Sequence, residues 1–211
     1  MNHFELQRRL REGKSGSGIP DRQGHLRTMK ISNVKPSIDK DQAQWKALRK
    51  LRDCERLSGV RKIQQYTTAE HCYYTGLLFE QVAWIENISI SVEEMQWVFR
   101  HDVLETVTGD VLYPAKNYND TTVNLWKRIE TELLSGDYSY LSEYSDSYAE
   151  MWFGRDAWDL FKACDLLELY LFCMDEIEIG SNEETIIRII KNCETILHDC
   201  KFESVKKWIS I

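Results

Sequence analysis

An all-α fold is what this 211-residue chain predicts. Three observations carry it. Apolar residues recur at helical spacing, capping residues stand where those runs begin, and no alternating run reads as a strand. From Asp39 the pattern is helical, with Trp45, Leu48, Leu51 and Arg52 at helix spacing and an end near Ser58-Gly59. Thr68 is placed as the N-cap of a strongly apolar helix over 69–86 that opens on Glu70-His71. Ser91 and Glu94 form a capping box, and their helix runs through Met95, Val98, Phe99 and His101 to about Val107. Gly109 stands where a helix commonly ends in the left-handed conformation. The stretch Asp110 to Asp120, with Pro114, is less regular. Helix resumes from about Thr121 to Leu134, and a short one covers 141–152 in a tyrosine-rich stretch. Two long helices, 155–179 and 182–199, close the chain; they are split at Gly180-Ser181-Asn182, where Ser181 or Asn182 caps the second.

Residues 1–38 are polar and basic, broken by Gly13-Lys14-Ser15-Gly16-Ser17-Gly18 and Pro20. A flexible arm with a short helix over 3–12 is expected there, leaving 39–211 as one helical domain. No apolar run approaches the roughly 20 residues that span a bilayer. Met1-Asn2-His3-Phe4-Glu5 opens without a signal-peptide apolar stretch, so a cytoplasmic, membrane-free protein is expected. The six cysteines include no C-x-x-C pair and are read as reduced thiols. Net charge is −7, unevenly spread. Residues 1–62 hold 16 Lys/Arg against 7 Asp/Glu, a surplus of +9, and the remainder holds 11 against 27, or −16. The acidic body argues against nucleic acid as a partner. The basic head suits a solvated arm, a phosphate-attracting segment, or one that docks on an acidic surface.

Chemistry concentrates in His71, the His101-Asp102 pair and Asp165. Each has an ordinary explanation alone. His71 opens an apolar helix, where a single histidine is usually a hydrogen-bonded core residue. Asp165 fits a water-facing stripe with Asp159 and Lys162, although its helix is apolar nearly all round, where a bare carboxylate costs several kcal/mol unless paired or metal-bound. Together, two imidazoles and two carboxylates suit one divalent metal. In a regular helix His101 and Asp102 lie about 100° apart, and Glu105 shares the face of His101. The mixed nitrogen and oxygen set, without a thiolate, favours Mn²⁺, Co²⁺, Fe²⁺ or Ni²⁺ over structural zinc. Arg56, Arg61, Lys62 and Lys116 are candidate cations for an anionic substrate. Arg56 is favoured for its bidentate fork, and Lys62 is read first as a solvated surface charge.

At these residues the chain resembles the HD superfamily, and more narrowly the bacterial and phage HD-domain 5′-deoxynucleotidases. Arg56-x4-Arg61-x9-His71, with Ala69-Glu70 before the histidine, resembles the family's entry segment. His101-Asp102-x2-Glu105-x2-Thr108-Gly109-Asp110, then Pro114-x-Lys116, resembles its central motif. Lys162-Ala163-Cys164-Asp165, followed by Glu176 and Gly180-x-Asn182-Glu183, resembles its last. Coverage is about residues 50–200. The resemblance implies an HD-domain helical bundle with one divalent ion held by His71, His101, Asp102 and Asp165. It implies hydrolysis of deoxyribonucleoside 5′-monophosphates, with Arg56 on the phosphate, Glu105 and Asp110 handling protons and the attacking water, and a homodimer. Three features depart from it. Leu57 follows Arg56 where the family usually has Trp, which leaves discrimination against ribose open; the N-terminal extension is longer; and the tyrosine-rich stretch can reshape the pocket edge. Other readings of the same residues are a deoxynucleoside triphosphate triphosphohydrolase, a non-catalytic nucleotide-binding helical domain, and a basic arm acting as a nucleic-acid tether.

Overall fold

Helix follows the apolar periodicity through the computed structural model, which describes residues 38–209 apart from 112 and 117. The expected basic arm, with its helix over 3–12, lies outside the described residues. Helix α1 (Ile38–Lys50) runs into a 3₁₀ turn at Leu51–Asp53, then come α2 (Thr68–Glu86) and α3 (Val92–Val98). Three further short or mid-length helices follow: α4 (Glu105–Thr108), α5 (Tyr113–Lys116) and α6 (Asp120–Ser135). A 3₁₀ segment, Ser139–Tyr144, leads to α7 (Asp146–Ala149), and α8 (Arg155–Glu178), α9 (Glu184–His198) and α10 (Glu203–Trp208) complete the chain. Among the described residues the only β pairing is an isolated antiparallel bridge, Glu55 to Thr67. None of the helices described is long and apolar enough to cross a membrane.

The centre of the bundle is α8, which packs against both α2 and α9. Its Leu160, Phe161 and Leu167 are fully buried with Phe79 and Val82 of α2 and Val98 at the end of α3. A smaller cluster joins Leu57, Val60 and Tyr66 to Cys173 of α8 and Ile186 of α9. All six cysteines are free thiols.

Caps tie these helices to their loops. Thr67, one residue before the expected cap, closes α2: its hydroxyl accepts from Glu70 N, and Glu70 Oε2 accepts from Thr67 N at 2.9 Å. Ser91 and Glu94 form the expected capping box, and the second Glu94 oxygen also accepts from Gly154 N at 2.9 Å, joining α3 to the start of α8. Glu183, not Ser181 or Asn182, caps α9 through Thr185 N. The fully buried Glu176 of α8 accepts from Ile63 N and Gln64 N, both at 2.7 Å, and so anchors the loop before α2. The short α10 escapes the sequence pattern because six residues hold less than two turns of periodicity. The first helix ends earlier than expected and leaves Trp45 62% exposed, while Ala47 and Leu51 face the core.

Between α3 and α4 the chain is not α-helical, against the expectation of a helix to Val107. Val103 N donates to Arg100 O and Glu105 N to Asp102 O, both at 2.9 Å, which is the tighter i→i+3 pattern. Where α2 passes this segment it carries Gly76, and a Cβ there would lie 2.3 Å from Phe99 Cε1. The glycine lets the Phe99 ring seat against the helix backbone. Gly76→Ala is therefore expected to destabilise the protein by about 1–3 kcal/mol, although alanine is the better helix former. Denaturant unfolding of the two proteins checks this; unchanged stability would mean that Phe99 moves aside freely.

Candidate metal centre

Three elements converge on one point: the start of α2 brings His71, the overwound segment brings His101 and Asp102, and the middle of α8 brings Asp165. The two histidines are almost wholly buried, with 0% and 3% side-chain exposure, and the two aspartates are partly open at 23% and 32%. His71 Nε2 lies 3.3 Å from His101 Nε2 and 2.8 Å from Asp165 Oδ1, and His101 Nε2 lies 3.5 Å from that same oxygen. Asp102 Oδ2 lies 3.6 Å from His71 Nε2 and 3.4 Å from His101 Nε2. Donors held about 2.1 Å from a common ion sit about 3.0 Å apart as octahedral neighbours and about 3.4 Å apart in a tetrahedron. The observed separations bracket those values: His71, His101 and Asp165 form a cluster that fits a divalent metal, and Asp102, which also groups with His101 and Cys72, stands within reach of both imidazoles.

Outer hydrogen bonds aim both imidazoles inward. His101 Nδ1 donates to Val98 O at 2.7 Å, and His71 Nδ1 faces the Glu168 carboxylate, which also accepts from Tyr66 OH. Each Nε2 is thereby turned toward the centre, the usual arrangement for a metal-binding histidine. Burial and the Arg56 charge push the His71 imidazolium down, but Glu168 and the hydrogen bonds to Asp165 and Glu168 outweigh them and raise it to about 9. Burial disfavours the Asp165 charge, yet hydrogen bonds from His101 and His71 hold the carboxyl well below its usual range. Tyr66 and Glu168 were not singled out from the sequence. The available signal is that Glu168 stands three residues after Asp165, on the same face of an otherwise apolar helix.

The loop from Cys54 to Thr67 supplies the cation. Arg56 N donates to Tyr66 O and Thr68 N to Cys54 O, both at 2.8 Å, so the loop closes on itself at the bridge. Arg56 Nη1 pairs with Asp102 Oδ2 and lies 3.6 Å from Glu105 Oε2. In the tight turn with three residues per repeat, Asp102 and Glu105 share an edge; this replaces the expected pairing of Glu105 with the face of His101. Glu105 is buried, accepts from Thr68 Oγ1 at 3.0 Å, and is raised to about 7 by burial and the Asp102 charge.

Leu57 stands in the left-handed region at φ 52°, a conformation costing a non-glycine residue about 1–3 kcal/mol. Its N–H donates to Asp110 Oδ2 at 2.7 Å, which fixes the backbone beside Arg56, and its side chain is buried. Gly109, just before Asp110, takes φ 72° with an extended ψ of 167°, not the left-handed helical turn expected there. Lys62 is not a solvated surface charge: its side chain is 4% exposed and its ammonium donates to Leu57 O at 2.9 Å. Lys116 lies near enough for its charge to act on Glu105, and it packs over the Trp126 ring at 6.0 Å. Arg61 is exposed and makes no ion pair with the cluster among the described residues.

Residues 44–211 match the profile described as the YfbR-like 5′-deoxynucleotidases. The chain belongs to that family. Relatives of this chain include the 5′-deoxynucleotidase of Erwinia tasmaniensis, 26% identical over 153 residues that cover 64% of this chain and 74% of that one. The 5′-deoxynucleotidase of Pectobacterium atrosepticum is 26% identical over 157 residues, covering 67% and 76%. Among solved structures, the YfbR-like chain is similar to an HD-domain phosphohydrolase from Listeria innocua (TM-score 0.64, 17% identity, 81% of this chain and 86% of that one). It is also similar to the HD phosphohydrolase of cyanophage S-2L, solved with dA and one catalytic Zn²⁺ (TM-score 0.56, 18% identity, 78% and 91%). At these identities the likeness shows the fold, which is the HD-domain helical bundle.

Proposed function

We propose that this protein is a divalent-metal-dependent phosphohydrolase that cleaves deoxyribonucleoside 5′-monophosphates to deoxynucleoside and phosphate. The observation that carries the reading is the convergence of His71, His101, Asp102 and Asp165 beside Arg56 and a buried Glu105, in a chain of the YfbR-like family. These four residues would hold the ion. When bound, such an ion withdraws charge from a phosphoryl oxygen and lowers the pKa of a water.

The remaining work falls to the chain. Phosphoryl transfer needs charge neutralisation and an aligned nucleophile more than covalent help. Arg56, held in place by Asp102, offers its guanidinium fork to the phosphate, with Lys116 as a second positive charge at the edge. Arg61, which is exposed, is the third candidate cation for the phosphate. Glu105, raised to about 7, exchanges a proton readily near neutrality. It takes the proton of the attacking water as the new P–O bond forms, and returns it to the 5′-oxygen as the P–O5′ bond breaks. Asp110 holds Leu57, and hence Arg56, with one oxygen; the proton role that the resemblance implies falls to the other.

The ion is proposed to be Mn²⁺, Co²⁺, Fe²⁺ or Ni²⁺, on the nitrogen and oxygen donor set. The S-2L phosphohydrolase carries Zn²⁺ as its catalytic ion, and zinc belongs in the same trial. A homodimer in the cytoplasm and a basic arm over 1–38 preceding the HD domain complete the proposal. Deoxy- and ribonucleoside mono- and triphosphates, incubated with each of these ions and separated by chromatography, test it. Deoxynucleoside and inorganic phosphate from the deoxymonophosphates are expected. Because Leu57 turns into the core where the family usually has Trp, ribonucleotides are expected to be cleaved at a measurable fraction of that rate. Inorganic triphosphate as the product would establish the triphosphohydrolase reading, and no turnover with any ion would favour the binding domain.

A further inference from the structure

Lys162 takes no part in the roles assigned above, although it stands one turn before Asp165 on α8. Its ammonium lies over the faces of Trp158 and Phe161, 4.7 and 5.0 Å from the ring centroids. Phe161 in turn packs edge-on against His101 at 5.1 Å, so one aromatic ring separates the ammonium from a residue of the metal centre. A single carboxylate, Asp146 of α7, accepts from the ammonium at 2.6 Å. Burial lowers the ammonium's pKa, but Asp146 and Asp165 outweigh it, with Asp102 adding to them, and the group stays charged. The positive charge thus sits within the field of the ligand carboxylates, on a different element from Arg56.

A phosphate dianion entering beside Asp102, Asp165 and Glu105 needs positive charge on more than one side. Arg56 and Lys116 come from loops and a short helix that precede or follow the overwound segment; nothing assigned above provides a cation from α8. We propose that Lys162 is a further phosphate-binding residue, and that Asp146 is the counter-ion it gives up when the phosphate arrives. The exchange is inexpensive because the Asp146 pair is half open, with side-chain exposures of 43% and 59%, and such pairs contribute little on their own. A doubly charged phosphoryl group is the stronger partner. The two aromatic rings hold the ammonium in place during the exchange. This inference rests on the phosphohydrolase reading of the site but not on which nucleotide is cleaved.

The test is equilibrium binding of inorganic phosphate to Co²⁺-loaded protein, measured by calorimetry at low salt and independent of turnover. Lys162→Met is expected to weaken phosphate by about fivefold or more, and Asp146→Asn to tighten it by about two- to fivefold. The gain from Asp146→Asn must vanish in the Lys162→Met background. A purely structural ion pair would weaken binding equally in both single variants, and that result, or no change in either, overturns the proposal. Asp146 is exposed, so its variant remains informative if Lys162→Met folds poorly. Opposite shifts in phosphate affinity in a protein that cleaves no deoxynucleotide would keep Lys162 as a phosphate ligand and remove the nucleotidase reading instead.

Discussion

Asp102→Ala is expected to lose metal loading and turnover together. Asp102 Oδ2 stands within 3.6 Å of both imidazole Nε2 atoms and also pairs with Arg56, so its removal subtracts one of the four proposed donors and releases the guanidinium proposed to bind the phosphate. The buried core of Phe79, Leu160 and Phe161 does not include this residue, so the variant is expected to fold. Metal content after dialysis should fall from near one ion per chain to near zero, with phosphate release below detection. Wild-type activity in this variant would refute the ligand assignment.

Glu105→Ala is expected to separate what Asp102→Ala joins. Glu105 touches Thr68 and Arg56, and in the proposed site it moves protons without holding the ion. Metal content should stay near one per chain, while hydrolysis slows by about two decades or more, the usual scale of positioned acid–base help. A pH profile gives a second readout. Without an ion Glu105 titrates at about 7; the positive charge of a bound ion favours the carboxylate and moves that value down. As the base for water, the ionised form is the active one, so wild-type kcat/KM should rise with pH through an inflection at or below 7. The variant should lack that limb. An unchanged rate or an unchanged profile would take Glu105 out of the mechanism.

Helical periodicity made the long elements legible: α2, α6, α8 and α9 lie within a few residues of their expected spans because each repeats its apolar face over several turns. The clustering of the proposed metal set was legible for a different reason. His71, His101, Asp102 and Asp165 are costly or unusual on apolar helices, and their residue types point to one chemistry. The overwound segment was not legible, since Phe99 to Leu104 carries no glycine or proline to mark a change of winding; Phe99 seating on Gly76 is a tertiary contact between residues 23 positions apart. Tyr66 and Glu168 were hidden similarly. Their meaning lies in the orientation of His71, which only the folded arrangement reveals. Lys62 misled because a lysine in a polar loop normally faces water, whereas here it closes the loop by binding Leu57 O.

Helix α8 carries Asp165, Glu168 and Glu176 at spacings of three and eight residues, and these three directions fall within about a quarter-turn of one another. One is proposed to serve the ion, one steers an imidazole, and one grips the backbone at Ile63 and Gln64. A single residue inserted between Asp165 and Glu176 would swing the far end by about 100°, and either take Asp165 away from the imidazoles or strand the buried Glu176 without its backbone partners. The rod therefore accepts changes of side chain far more readily than changes of length. In sequences built on this plan, gaps are expected in the connecting loops, with the count from Asp165 to Glu176 kept like the teeth of a key.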